Sequence, residues 1–576
     1  MGKEIKNCQN CKKDFTIEPE DFDFYEKIKV PAPTWCPMCR FQRRAIFRNE
    51  RKFFRNIDAH TGEPLLSLFP KEARFPIYQD IFWAGDGWDP FSYGQEFDRR
   101  RPFLAQIKEL SRKVPRYRSS VVNMVRSDYC ANASDLKDCY LMFNSNFTED
   151  SAYGNGVDFS KYCFDNSHIQ NSEKCYESFW LTKCYETHFS SLCDECVSVW
   201  FSKNCRGCTN CFGCVNLINQ SYCFFNGQLS KENYQIKLRD LKLSSWIELQ
   251  KIKKKVKNFW LKFPVRYLQG VQNHNVSGEY ITHSKNVRNG YIIRSGEDIA
   301  YGQYGQVPTL RNCMDVTVFG KNTELLYECS VVGWDTSQAK FCWECWDGGI
   351  DLEYCMNSGK RANHLFGCIG VCSGEYAILN RRYSKEEFVH LRDEIKKHMD
   401  KVPYIDQKGR VYKYGEFFPP DFSPFSYNDT IASEHFPMSQ EEIIKYGSTY
   451  YEIPKNKYEV TIRTENLPDN INDVPDSFIG EVIECGECKR AFRIIPDELQ
   501  FLKQIGIPLP HYCIDCRHKS RIMQRNKNRL YARTCMCNKQ NHFHEVKKCD
   551  VEFETSYSPD RPEIIYCEKC YQQEVY

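Results

Sequence analysis

At 576 residues the chain has room for three or more domains, and its 41% hydrophobic and 27% charged residues are ordinary for a globular protein. A net charge of +3 excludes a protein-wide field for polyanions, so any nucleic-acid surface has to be local. The first residues, MGKEIKNCQN, contain no apolar signal core, and no run approaches the ~18 apolar residues of a membrane span. A cytoplasmic, non-membrane protein is expected, in which 32 cysteines serve as metal ligands and buried thiols rather than disulfides. Aromatic residues reach 15%, so the packing has to be rich in rings.

Residues 1–57 contain Cys8, Cys11, Cys36 and Cys39, two Cys-x2-Cys pairs on either side of a 24-residue spacer. Four thiolates delivered as two knuckles suit a closed tetrahedral Zn2+ site, which stabilises a module too small to bury much core. Pro19, Glu20 and Asp21 suit the first turn of an internal helix. The same pattern returns near the other end as Cys485, Cys488, Cys513 and Cys516, gap-free at an offset of 477. Two zinc sites are therefore expected. Basic residues follow each second knuckle: Arg40, Arg44, Arg48 and Lys52 match Arg517, Arg521, Arg525 and Arg529. Their spacing would line one helical face with positive charge, a candidate nucleic-acid surface for RNA or single-stranded DNA.

The stretch from Cys8 to Arg40 resembles a zinc-ribbon, treble-clef-like domain found in many short bacterial proteins, and Cys485 to Arg517 resembles it too. The whole chain is also similar to large zinc-binding proteins of small-genome bacteria, in which such a module precedes a long Cys/Tyr-rich region. The resemblance implies zinc binding and no particular activity.

Residues 58–119 form a Pro/Trp-rich connector, read as turns leading to a helix near 101–111, with Asp86, Asp89 and Asp98 as turn and capping residues. From about 120 cysteines recur at 130, 139, 163, 175, 184, 196, 205, 214 and 223, in rungs such as L136KDCYLMF143 and L181TKCYETHF189. Each rung has a polar, turn-like start, one inward small residue and alternating aromatics. Such a rung cannot bury its face alone, so a stack is expected. F212GCVNLINQSYCFFNGQLSKENY234 matches F366GCIGVCSGEYAILNRRYSKEEF388 at an offset of 154. The fold class expected is therefore mainly β: a duplicated β-solenoid, parallel β-helix-like, with halves at 120–242 and 274–398, each closed by a capping helix. A lysine-rich linker helix (243–273) joins the halves, a Pro-rich irregular segment follows (399–480), and residues 481–576 carry the second zinc module. That module includes a further knuckle for a third zinc site, Cys535, Cys537, Cys567 and Cys570, with His542, His544 or Cys549 as alternates.

C205RGCTNCFGC214 approaches an iron–sulfur run but has x2 before its fourth cysteine and no following proline. At offset 154 its first three cysteines become Gly359, Ala362 and Leu365, as small packing positions would. No nucleophile elbow, P-loop or dinucleotide fingerprint is present. A non-enzymatic zinc-stabilised scaffold contacting nucleic acid is the reading adopted. A protein–protein scaffold, a β-helix carbohydrate enzyme using carboxylates such as Asp347, Asp351 and Glu353, and a metal- or redox-handling role for the solenoid cysteines are the alternatives. Oligomeric state is left open.

Overall fold

Every third residue of the first solenoid half turns inward: Leu136, Cys139, Met142, Ser145, Thr148 and Ser151 are all buried. The residue before each of them, from Asp135 to Asp150, has φ between 48° and 55°, in the left-handed region. That conformation costs an ordinary residue roughly 1–2 kcal/mol, and Asn and Asp tolerate it best. The frequency of Asn and Asp at these positions, as at Asn132, Asp135, Asp138, Asn144 and Asp150, follows from this. In this computed structural model residues 2–305, 307, 309–318, 320–331, 333–345, 347–452, 458–544 and 548–575 are described.

Successive strands pair parallel at a step of 12 residues, as in Asn155 with Ser167, Ser167 with Phe179 and Phe179 with Ser191. A 12-residue turn therefore has four inward positions rather than the one per rung expected from the sequence. The cysteine steps along 130–223 are all multiples of three, which is the trace this triplet period leaves in the sequence. The second half repeats the stack with looser turns: Ile299 pairs with Cys313, Val316 with Cys329 and Leu365 with Ala377.

The bore of such a turn is narrow, and its contents are small. Ser160 Oγ accepts the Ser172 N–H (3.2 Å) and Ser172 Oγ accepts the Cys184 N–H (3.1 Å), one turn apart. A longer file runs Asn166, Ser178, Ser190, Ser202, Cys214, each side chain accepting the next inward N–H at 2.9–3.2 Å. Serine satisfies a donor that leucine would leave unpaired. Cysteine takes many of the other inward places by donating its thiol to a carbonyl two residues back, as Cys196 does to Asp194 O and Cys214 to Phe212 O, both at 3.4 Å.

Rings cannot fit inside and line the outer wall instead. On the first half Tyr153, Phe164, Tyr176, Phe189, Phe201 and Phe212 are covered by the helices Trp246–Trp260 and Pro496–Ile505. On the second, Tyr327, Phe341, Trp343, Tyr354 and Phe366 are covered by the amino-terminal module, the connector helix Phe103–Ser111 and residues 412–443. Each stack ends in a tight hairpin, Ser221–Phe224 on Gly227–Gln228 and Ser373–Ile378 on Arg381–Arg382. The expected capping helices follow at Lys231–Arg239 and Lys385–Lys401, the latter opened by a Ser384–Glu387 capping box. No helix among the described residues is long and apolar enough to cross a membrane.

The serine file makes a direct prediction. Ser178→Ala strips the acceptor from the buried Ser190 N–H, and chemical denaturation should show a loss of about 1–3 kcal/mol, with Ser178→Cys recovering part of it.

Candidate metal centres and the arginine helices

In the amino-terminal module the strands Glu4–Asn7 and Asp14–Ile17 form a hairpin whose turn carries Cys8 and Cys11. Cys36 is the N-cap of the helix Pro37–Ala45, which carries Cys39. The second module repeats this with Cys485 and Cys488 beside the hairpin Ile483–Glu484/Ala491–Phe492, and Cys513 capping Ile514–Ile522. In each quartet all four sulfurs lie within 4.8 Å of one another, so each could hold a metal ion. Two of the edges, Cys11–Cys36 at 3.8 Å and Cys488–Cys513 at 3.6 Å, match the ~3.8 Å edge of a tetrahedron with sulfurs about 2.3 Å from its centre. Burial pushes Cys513 up to about 12, with the neighbouring Cys485 and Cys488 adding to it. A bound cation reverses that preference by pairing with the thiolates, so loading releases protons.

The third site differs from the set expected. Cys535, Cys549, Cys567 and Cys570 form the quartet; Cys549 takes the place assigned to Cys537. The reason is local geometry. Cys535 N–H bonds Val551 O at 2.9 Å as Cys8 N–H bonds Lys13 O, so Cys549, two residues before Val551, stands where Cys11 stands two residues before Lys13. The third module is thus built like the others. Cys567 N–H bonds Cys535 Sγ at 3.2 Å, as Cys36 N–H bonds Cys8 Sγ and Cys513 N–H bonds Cys485 Sγ at the same distance. Cys549–Cys567 is 3.9 Å, the counterpart of Cys11–Cys36.

The basic residues are placed the other way round from the sequence expectation. Both helices stop early, at Ala45 and Ile522, and Arg40, Arg44, Arg48, Arg517, Arg521 and Arg525 are buried. Arg40 Nη2 reaches Asp315 Oδ2 at 2.8 Å, Arg43 bridges Glu328 (2.6 Å) and Glu416 (2.8 Å), and Arg44 joins Glu328 (3.0 Å) and Asp315 (3.3 Å). Arg48 meets Asn132 at 2.9 Å and Glu344 at 3.5 Å. In the second module Arg517 and Arg521 share Asp165 (2.7 and 2.8 Å), Arg517 also takes Glu498 (2.6 Å), and Arg525 takes Glu434 (3.0 Å). Lys52 pairs with Asp429, and only Arg529 of the eight is exposed, over the Tyr531 ring. Burial pulls both central carboxylates upward: it wins at Asp315 despite Arg40 and Arg44, and loses at Glu328, which Arg43, Arg44 and Arg40 hold below its usual range.

The docking is crossed. The amino-terminal module sits on Asp315 and Glu328 of the second half, and the carboxy-terminal module on Asp165 of the first. The contacts correspond: Arg40 lies over Tyr301 and Arg517 over Tyr153. The modules are neighbours, with Arg51 Nη2 3.9 Å from Asp515. Where they meet both halves a cavity of only about 40 Å3 remains, lined by Glu50, Asn144, His168, Tyr304, Glu434 and His518 among others, room for a water or two.

The remaining candidates are occupied elsewhere. Asp351 is paired with His364 (2.9 Å) and Arg392 (2.7 Å), and Glu353 with Lys396 (2.8 Å), so both tie the capping helix to the wall; Asp347 is exposed. Cys205, Cys208, Cys211 and Cys214 are buried in the bore, one to a side, and form none of the metal-holding groups among the described residues. The sequence reading held Cys549 only as an alternate ligand and missed the carboxylates that receive the arginines. Asp165 with Glu177, and Asp315 with Glu328, recur one turn apart on the wall and were the legible signal.

Crossed docking predicts crossed damage. Cys36→Ser should speed amide exchange in the second solenoid half and spare the first, and Cys513→Ser should do the reverse. Removing an arginine's support leaves a buried carboxylate unpaired, at about 3–5 kcal/mol. A second prediction concerns Glu279, buried against Asn526 (3.1 Å) and Ser556 (2.8 Å) and pushed by burial up to about 8. Because its pKa is raised on folding, its neutral form is favourable at low pH and stability is lost as pH rises toward 8. Melting curves should show wild type falling relative to Glu279→Gln between about pH 5 and 8, then running parallel.

No family model matches the chain, and no curated protein matches it. Among solved structures, a chain described as an acetyltransferase from Desulfovibrio desulfuricans G20 is similar over 51% of this chain and 86% of its own, at 10% identity and a TM-score of 0.09. Chains that superpose so poorly carry no argument about activity.

Proposed function

We propose that this protein is a non-enzymatic, zinc-clamped scaffold that binds a protein partner on the open wall of its paired solenoids. One observation carries the reading: the arginine helices fixed by the two terminal quartets are spent inside the molecule. Arg40, Arg43 and Arg44 face Asp315, Glu328 and Glu416, a balanced set, so little positive field is left for an outside polyanion. Zinc suits closed all-sulfur tetrahedra whose work is structural, because it has no redox chemistry and no open position there. The open wall supports a mixed-charge partner: turn-to-turn pairs such as Lys161–Glu149, Lys183–Glu195 and Lys285–Glu297 lace it, and Phe147 and Phe159 stack in the open, ring centroids 4.9 Å apart. Matched charges leave no net positive field for a phosphate backbone, and the exposed ring pair is the part that suits a protein.

Elemental analysis of the full chain should find at least three zinc ions. Chelation should free both arginine helices to protease while the solenoid keeps its circular dichroism. Gel shifts at low salt should show no binding of single-stranded RNA or DNA by the loaded protein. Tight, salt-sensitive binding there would return the reading to nucleic acid.

A further inference from the structure

The third quartet has neighbours that the other two lack. Its first two cysteines, Cys535 and Cys549, are separated by 13 residues where Cys8/Cys11 and Cys485/Cys488 are separated by two. That inserted loop carries Cys537, His542 and His544, and these three form a second metal-holding group together with Cys570 of the quartet itself. The Cys570 sulfur therefore lies within 4.8 Å of six other donor atoms, three from each set. Cys537 Sγ and His542 Nδ1 are 3.2 Å apart, close to one edge of a mixed sulfur–nitrogen tetrahedron.

We propose that this module holds two zinc ions bridged by the Cys570 thiolate, the second completed by Cys537, His542 and His544. The proposal rests on the zinc reading of the quartet and goes beyond it. Three features support it. Cys537 and Cys570 are fully buried, so an unused thiol there would bring no benefit of access. The far nitrogen of His542, Nε2, lies 3.4 Å from the Glu574 carboxylate, the outer partner that turns the near nitrogen, Nδ1, toward a metal. Charge also favours sharing. One divalent ion among four thiolates leaves about −2 in a buried cluster, whereas two ions among the five thiolates of Cys535, Cys537, Cys549, Cys567 and Cys570 leave about −1. No redox step is involved: each thiol that binds loses a proton to solvent.

The test is the number of zinc ions on the full chain, read by native mass spectrometry. Wild type is expected to carry four. The double variant His542→Gln/His544→Gln leaves the quartet intact and is expected to carry three. Three ions in wild type, unchanged in the variant, would mean a single ion that selects between the two sets, and would overturn the proposal. Should the variant misfold, 113Cd NMR of cadmium-exchanged wild type decides: four resonances, two coupled to each other through one sulfur, are expected, and uncoupled resonances would overturn the bridge. Loss of metal from the quartets at Cys8–Cys39 or Cys485–Cys516 would instead count against the zinc-clamp reading, so the two failures are separable.

Discussion

A turn of 12 residues encloses too little space for a ring, and most of this structure follows from that constraint. With four inward positions per turn, the bore accepts Ser, Cys, Thr, Val and the occasional Leu or Met. The 15% of aromatic residues must then stand outside, where a solenoid exposed to water would display a continuous apolar stripe. Much of it is covered by the other segments. The linker helix, the connector, the Pro-rich segment and both metal modules pack against the outer rings, as in the 4.6 Å stack of Phe164 on Phe501 and the 4.9 Å stack of Phe103 on Phe366. The narrow bore also sets its own chemistry: inward N–H groups take serine oxygens one turn away, and thiols fill the other places.

The ion pairs that seat the modules are buried, and burying charge is expensive unless each group is matched. Here the match is close, Arg43 bridging two carboxylates and Asp165 receiving two arginines. Replacing such a set with apolar residues would cost little stability, so its value lies in register. A planar guanidinium that must meet Asp315 while lying over Tyr301 fixes which turn of the wall each module grips. The metal quartet is what holds the guanidinium in place, since the helix begins at its own cysteine. The cysteine quartet, helix position and solenoid packing are thereby coupled through a few residues.

The crossed arrangement gives the coupling a longer reach. Each arginine helix grips the solenoid half that lies farther along the chain, Arg40, Arg43 and Arg44 on the second and Arg517 and Arg521 on the first. Folding of the two halves is then interdependent: the first lacks part of its cover until residues 496–525 are made, and the amino-terminal module has no Asp315 to meet until the second half exists.

By itself the sequence determined the repeat, the duplication and the converging cysteine quartets of the two terminal modules, because each is a local pattern copied within the chain. A Cys-x2-Cys knuckle sets its own geometry, and a stack repeats the same neighbour contact, so spacing is enough to read them. The triplet period was also written there, in cysteine steps that are multiples of three. What the tertiary structure alone decided is where the arginines face. A basic stripe beside a zinc knuckle looks the same in sequence whether it meets a phosphate or a buried aspartate, since its partners, 275 residues away for Arg40 and Asp315, leave no periodic mark. Likewise Cys-x-Cys at 535 and 537 reads as a knuckle until strand pairing sets Cys549 beside Val551, the partner of Cys535, because a quartet is chosen by which sulfurs converge and not by which are closest in the chain.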